Sequence, residues 1–387
     1  MTAAENETAP DILLLTAGLG GAIGSTLAAA VALLPERPEM IRPSLTTAAR
    51  YPDLPAPEQF RIAGWDCCER PLTDALVRHG VVPEPLWGDF RGAIASVPLQ
   101  AAPDGRLPLE DQVDRLRAEM RRLCAASPRS VPVLVNLLPA AVEQDLDDCA
   151  TMAELAARAD TAAMPDLAYT LAAVLSGIPV VNFTPNRVEL PVTVQAAGAS
   201  GVPIAGRDGK TGQTYFKVAL ASALKARCLR VDGWYSVNIL GNDDGVALDD
   251  PARAAGKVAN KTELLDELLG YRVGERWGRS THKVRIDYYP PRGDAKEAWD
   301  VVDLLGMFDL PMSLRIDLQG RDSILAAPLV LDPARWVTAL RAAGHAGPVP
   351  ELGFYFKKPV GPRPPITFEQ QLAALDRLAD RCREPRP

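Results

Sequence analysis

Short apolar runs alternate with longer segments of helical periodicity through residue 205. Asp11–Thr16 (DILLLT), Val131–Leu138 (VPVLVNLL) and Ile178–Phe183 (IPVVNF) are apolar almost throughout, the pattern of strands buried on both faces of a parallel sheet. Gln59–Gly64 reads as the second strand, reached after a proline-rich excursion over residues 35–58. Helices fall between them. Leu109, Val113, Leu116, Met120 and Leu123 recur on one face of a helix over 108–125, residues 147–159 form another, and 165–176 opens on Pro165 and stops at Gly177. Strands alternating with helices predict an α/β chain with a Rossmann-type, doubly wound parallel sheet.

The texture changes after Gly206. Leu229–Leu240, Lys283–Tyr289 and Ser313–Leu318 show the partial alternation of a sheet with one wetter face, and helices are expected at 212–226, 258–269 and 294–305. This is a second module. From Ser323 a long helical pattern returns, with Pro328 and Pro333 expected to kink or divide it. A strand-like GFYFKKP and a final helix around Glu369–Arg381 complete the chain.

Composition narrows the chemistry. At 387 residues two domains are the natural expectation, and a net charge of −7 argues against a nucleic-acid or anionic-membrane surface. The run Ile12–Leu34 is rich in Gly and Ala and reads as strand, turn and helix rather than a membrane span. Residues 1–10 are polar and acidic, unlike a signal peptide. Six scattered cysteines without a CxxC pair fit reduced thiols in a cytoplasmic protein. With three histidines, neither a His-based triad nor a multi-His metal site is expected, and no metal is assigned.

The first strand feeds AGLGGAIGSTL, with glycines at 18, 20, 21 and 24. The dinucleotide fingerprint would put its third glycine at position 23, where Ile23 stands, so the motif is GxGGxxG, one residue longer. Gly18 permits the tight turn, Gly20 and Gly21 let a pyrophosphate approach the backbone, and the helix starting near Ala22 and Ile23 points its N-terminus there. A glycine-rich turn without a ligand is the alternative. Asp66, at the end of the second strand, is the candidate for the ribose hydroxyls, although the excursion sets it beyond the usual spacing; a turn role fits it equally. Asn136, near the end of another strand, is a further candidate to face the cofactor.

GRDGKTGQT at 206–214 is not a Walker A motif, since five residues rather than four separate its outer glycines and Gln213 stands where that motif needs Lys. It reads as a phosphate cup made by Thr211, Gly212, Gln213, Thr214 and the N–H groups opening helix 212–226. Lys257 and Lys261 share a helix face at i and i+4, where two cations repel unless something negative lies between. Together with Lys296 and Lys357 they are candidates for general acid–base work or for stabilising an oxyanion, against the plain alternative of solvated surface. Asp208, Asp244 and Asp322 are placed to orient them, or to serve as turn and cap residues.

In order along the chain, GLGGAIGSTL, GWD, GRDGKTGQT, YSVNILGNDDG, GKVANK, GDAKEAWD, RDSILAAPLVLD and FYFKKP resemble the myo-inositol-1-phosphate synthase family from about residue 12 to 382. The resemblance implies a Rossmann NAD domain over 10–205 and 320–387 and an inserted α+β catalytic and tetramerisation domain over 206–319, in a homotetramer. It implies cyclisation of a hexose 6-phosphate, by default glucose 6-phosphate, through oxidation at C5, aldol closure of C6 onto C1 and reduction, without net redox change. By motif position Lys257, Lys261, Lys296, Lys357 and Asp322 serve catalysis. Asp208, Asp244 and Ser323 line the nicotinamide and active site, and the 211–214 cup holds the substrate phosphate.

Departures fall near the lysines. The family's Ser-Lys pairs read Gly256-Lys257 and Asn260-Lys261, its Asn-Thr-Glu reads Asn136-Leu137-Leu138, and its Pro-Ser-Thr reads Pro165-Asp166-Leu167. They keep open a variant that closes fructose 6-phosphate to a five-membered cyclitol phosphate. A non-catalytic NAD-binding protein and a plain dehydrogenase releasing NADH are the rivals from other classes.

Overall fold

The computed structural model describes residues 11–242, 245–246 and 264–384. The described strands are β1 (Ile12–Ala17), β2 (Phe60–Asp66), β3 (Leu99–Ala101), β4 (Val131–Asn136), β5 (Val180–Asn182), β6 (Pro203–Gly206), β7 (Arg230–Leu240), β8 (His282–Tyr288), β9 (Ala295–Leu305), β10 (Pro311–Arg321) and β11 (Gly347–Pro348). Six helices carry the account: α1 (Ala22–Leu33), α2 (Leu109–Ala126), α3 (Asp166–Leu175), α4 (Gly212–Ala226), α5 (Asp322–Ala342) and α6 (Phe368–Arg383).

One sheet has the order β11-β6-β5-β4-β1-β2-β3, with every pairing parallel. Its strand order reverses between β1 and β4, the switch point at which a Rossmann-like sheet opens a crevice. Successive residues of β1 serve opposite faces: Leu14 packs in one core with Leu27 of α1 and Leu331 of α5. Leu15 packs in the other with Leu116 of α2 and Leu171 of α3. At about 2 kcal/mol for each buried Leu, these two layers dominate the stability of the sheet. The apolar stripe predicted over 108–125 is this buried face of α2.

The second sheet has the order β10-β9-β7-β8, with β7 parallel to β8 and antiparallel to β9, and β10 antiparallel to β9. All four strands lie between β6 and β11 in the chain, so the second sheet interrupts the connectivity of the first. A third core, built on Val218, Trp234, Leu268 and Val302, fixes α4 against it.

Several expectations are corrected. Residues 294–305 are not a helix but the strand β9, in which Ala298, Asp300, Val302 and Leu304 are buried with period two. The prolines do not divide α5, which runs unbroken over 21 residues with Pro328 and Pro333 inside it. Its burial in the sheet's core outweighs the two missing N–H groups. GFYFKKP is not a strand: residues 350–354 make a 3₁₀ turn, and beyond it the chain runs back along the 206–210 segment. Lys357 N donates to Asp208 O (2.8 Å), Arg207 N to Lys358 O (2.8 Å) and Lys210 N to Tyr355 O (2.8 Å). The helix expected over 147–159 is shorter, at Met152–Arg158, and β3, β6 and β11 are strands that periodicity missed. Of the helix expected over 258–269, the first six residues lie outside the described residues.

Candidate active site

The carboxyl ends of β1, β2 and β4 open onto a cavity of about 760 Å³, whose far wall is the start of α4, the end of β7 and the start of α5. Gly18, Gly20, Gly21, Ala22, Ile23 and Asp66 line it from the Rossmann-like side. Asp208, Thr211, Gln213, Thr214, Lys296, Asp322, Ser323 and Lys357 line it from the other. Gly212 stands between Thr211 and Gln213 at the first position of α4, where a Cβ would lie 2.8 Å from Leu318 Cδ2. Lys257, Lys261 and Asp244 lie outside the described residues.

The glycine turn is built to keep its backbone bare. Gly18 has φ +84°, and a Cβ there would sit 3.0 Å from Leu137 O. Gly24, one place later than the fingerprint's third glycine, packs so closely that a Cβ would lie 2.4 Å from Leu19 O. Gly20 N donates to Asp66 Oδ2 (2.8 Å), tying the turn to the end of β2, while Asp66 Oδ1 accepts from Cys68 N (3.2 Å).

Asn136 does not line the cavity. It is fully buried, and its Nδ2 donates to Asp166 Oδ1 (2.7 Å) and Asn182 Oδ1 (3.2 Å). A carboxyl at the start of α3 draws the amide inward and leaves Leu137 and Leu138 to face the cavity. Burial raises the Asp166 pKa, opposed by its bonds from Asn186 and Asn136.

Two lysines reach the cavity as ion pairs. Lys357 Nζ lies 2.7 Å from Asp208 Oδ1, and Lys296 Nζ lies 2.9 Å from Asp322 Oδ2. Asp208 has φ +61°, a left-handed conformation that Asp tolerates better than most residues. Ser323 donates to Asp294 Oδ1 (3.2 Å), which also accepts from Asn242 Nδ2 (3.0 Å), so one buried carboxyl joins the turn after β7 to the start of α5. Burial raises the Asp294 pKa, against those two bonds.

Behind the cup lie two lysines that sequence reasoning did not nominate. Lys210 is buried, donates to Gly353 O (2.5 Å) and Gln371 Oε1 (2.9 Å), and is pushed down to about 7 by burial, helped by the charge of Lys357. Lys217, one turn along α4 from Gln213, donates to Ser236 Oγ (3.0 Å) and pairs with His282 Nε2 (2.8 Å). Burial pushes it down to about 8, opposed by Asp300. Asp300 in turn accepts from Trp234 Nε1 (2.7 Å), Gln213 Nε2 (3.0 Å) and Ser236 Oγ. Lys210, Asn238 and Asp294 all sit inside the quoted motifs, which was the signal available for them.

Fold and site together define a two-sheet α/β protein of Rossmann-like architecture, whose main cavity faces a helix N-terminus and two lysine–aspartate pairs. Comparison with known proteins narrows this class. Residues 212–323 match the family described as Myo-inositol-1-phosphate synthase. The inositol-3-phosphate synthase 1 of Bacteroides thetaiotaomicron is 41% identical over 198 residues, which cover 51% of this chain and 46% of that protein. The inositol-3-phosphate synthase of Spirodela polyrhiza is 29% identical over 306 residues, covering 71% of this chain and 59% of that one. The chain thus spans about half the length of the curated relatives it matches. In fold, an inositol-3-phosphate synthase structure from Caenorhabditis elegans superposes with a TM-score of 0.84 at 21% identity, over 97% of this chain and 86% of that one.

Proposed function

We propose that this protein is an NAD-dependent isomerase that cyclises a hexose 6-phosphate, by default glucose 6-phosphate, to an inositol phosphate. The observation that carries this reading is the convergence on one cavity of a glycine turn, a helix N-terminus and the pairs Lys296–Asp322 and Lys357–Asp208. The glycine turn fits a dinucleotide: Gly18 and Gly24 leave no room for a Cβ, and the N-terminus of α1 faces the cavity. Gly18, Gly20, Gly21, Ala22 and Ile23 would hold its pyrophosphate and Asp66 its ribose. When bound, NAD would accept a hydride from the sugar and later return it.

The chain's own residues supply the rest. Backbone N–H groups at the start of α4, with the hydroxyls of Thr211 and Thr214, anchor the phosphate. Lys296 and Lys357 aim N–H donors at the cavity, where negative charge on an enolate or alkoxide oxygen is stabilised. Asp322 and Asp208 hold those ammonium groups in place. Closure of C6 onto the carbonyl carbon requires a proton to leave C6 and another to reach the new alkoxide; an ammonium held by a carboxylate can give the second, and a lysine that has given up its proton can take the first. The assay is incubation of the protein with NAD and either glucose 6-phosphate or fructose 6-phosphate, with the product identified by NMR. An inositol phosphate from glucose 6-phosphate is expected. A five-membered product from fructose 6-phosphate alone would replace the default substrate, and no cyclitol phosphate from either would end the proposal.

The proposal extends to a homotetramer. Edge strand β10 and the turn before it expose Met307 (78%), Phe308 (85%), Leu310 (62%) and Met312 (46%), more contiguous apolar surface than a lone edge strand usually carries. Replacing Phe308 and Leu310 with Asp is expected to lower the mass measured by light scattering to that of a smaller assembly. An unchanged mass would remove β10 from the interface.

A further inference from the structure

The backbone ladder that brings Lys357 to Asp208 has a second face. Arg207 and Lys358 exchange two backbone bonds, Arg207 N to Lys358 O (2.8 Å) and Lys358 N to Arg207 O (3.2 Å). They therefore stand directly opposite each other, and their side chains leave the ladder on one side. That side opens onto a cavity of about 320 Å³, separate from the main one and joined to it through Lys357, which lines both. Arg187, Arg207, Lys357 and Lys358 line it against two carboxyls, Glu189 and Glu267. In a chain of net charge −7, such a local excess of cations marks a place for an anion.

Glu189 restricts which anion fits. Its side chain packs against the end of β6, where a Cβ on Gly206 would lie 2.6 Å from Glu189 Oε1. Oε1 accepts from Asn182 Nδ2 (2.8 Å), while Oε2, in a residue only 8% exposed, has no hydrogen-bond partner. An unmet buried oxygen is costly, and a ligand that brings a proton would satisfy it. A fully ionised carboxylate ligand would instead set oxygen against oxygen. Inorganic hydrogen phosphate keeps one proton at neutral pH and offers it there. Burial raises the Glu189 pKa, opposed by the Asn182 bond and the charge of Arg207, which eases sharing of that proton. Among the described residues the Arg207 side chain has no ion pair or hydrogen bond, so its planar fork is left to match two phosphate oxygens.

We propose that this cavity is a second anion site, taking free hydrogen phosphate between the guanidinium groups of Arg207 and Arg187 and sharing the remaining proton with Glu189 Oε2. The site is independent of the reaction assigned to the main cavity. A phosphate bound there adds a second negative neighbour to the ammonium of Lys357, which Asp208 holds from the other side.

Calorimetric titration of the full chain with inorganic phosphate at about pH 8 counts the sites. Two are expected, one at the start of α4 and one here, and Arg207→Leu is expected to remove the second. Arg187→Gln is expected to weaken the second by about tenfold. It breaks only a surface pair with Asp147 (2.5 Å), so it carries the test if Arg207→Leu fails to fold. Succinate and methyl phosphate have no ionisable proton left at that pH, and each is expected to bind here about tenfold more weakly than phosphate. A phosphate titration unaltered by both substitutions would overturn the proposal. So would succinate or methyl phosphate matching phosphate at the component that those substitutions remove. A single site in the wild-type protein, lost in Arg207→Leu, would uphold this site and remove the phosphate cup from the main cavity.

Discussion

Lys296→Ala is expected to slow cyclitol phosphate formation by about 10²- to 10⁴-fold, the range spanned by a positioned proton-transfer group. NAD affinity, followed by fluorescence titration, should stay close to that of the wild-type protein, because Lys296 lies on the second sheet, across the cavity from the glycine turn. Lys357→Ala is expected to cost a similar factor in rate together with stability. Asp208 keeps only 4% of its side chain exposed, so removing the cation 2.7 Å from it breaks a largely buried ion pair, a change that costs up to about 3–5 kcal/mol in such pairs. Asp322 is more open at 27%, so Lys296→Ala is expected to be the milder change for the fold. NMR product rates combined with urea unfolding distinguish the two. Full turnover in both variants would strip these lysines of their roles.

Lys210→Met is expected to flatten the dependence of stability on pH. Burial lowers the Lys210 ammonium from its ordinary 10.5 to about 7, so between those values the unfolded chain binds a proton that the folded chain does not. Stability therefore rises as pH climbs from about 7 to 10.5, with a slope of up to about 1.4 kcal/mol per pH unit from this one group, and the deficit persists in full below pH 7. Lys217 acts with the same sign from about 8 upward, so the variant retains part of the slope. Urea unfolding at intervals between pH 6 and 10 measures the difference. A slope unaltered by the substitution would mean that Lys210 is charged inside the fold, held so by Gly353 O and Gln371 Oε1.

The parts of this molecule legible in its sequence are those with a local cause. A glycine turn, an apolar strand and a hydroxyl-rich helix start each depend on residues next to one another, and the structure brings Gly18, Asp66, Thr211 and Thr214 to one cavity. What escaped depends on distant partners. The stretch AKEAWDVVDLL carries the composition of a helix, yet Asp300 is buried because Trp234, Ser236 and Gln213 converge on it from elsewhere in the chain. Asn136 looked available at a strand end until the carboxyl of Asp166 claimed its amide. Lys210 reads as an ordinary solvated lysine until residues 353–371 fold over it.

The backbone pairing of 206–210 with 355–358 gives the site a particular order of assembly. Lys357 meets Asp208 across 149 positions of sequence, and no shorter route brings that amine to the cavity. During synthesis the glycine turn, the start of α4 and the whole second sheet leave the ribosome before Lys357. The Lys357–Asp208 pair therefore forms only after residues 355–358 have been synthesised and have paired with 206–210. On the proposed function, the pair that faces the cavity from the C-terminal return would be the last part of the site to form.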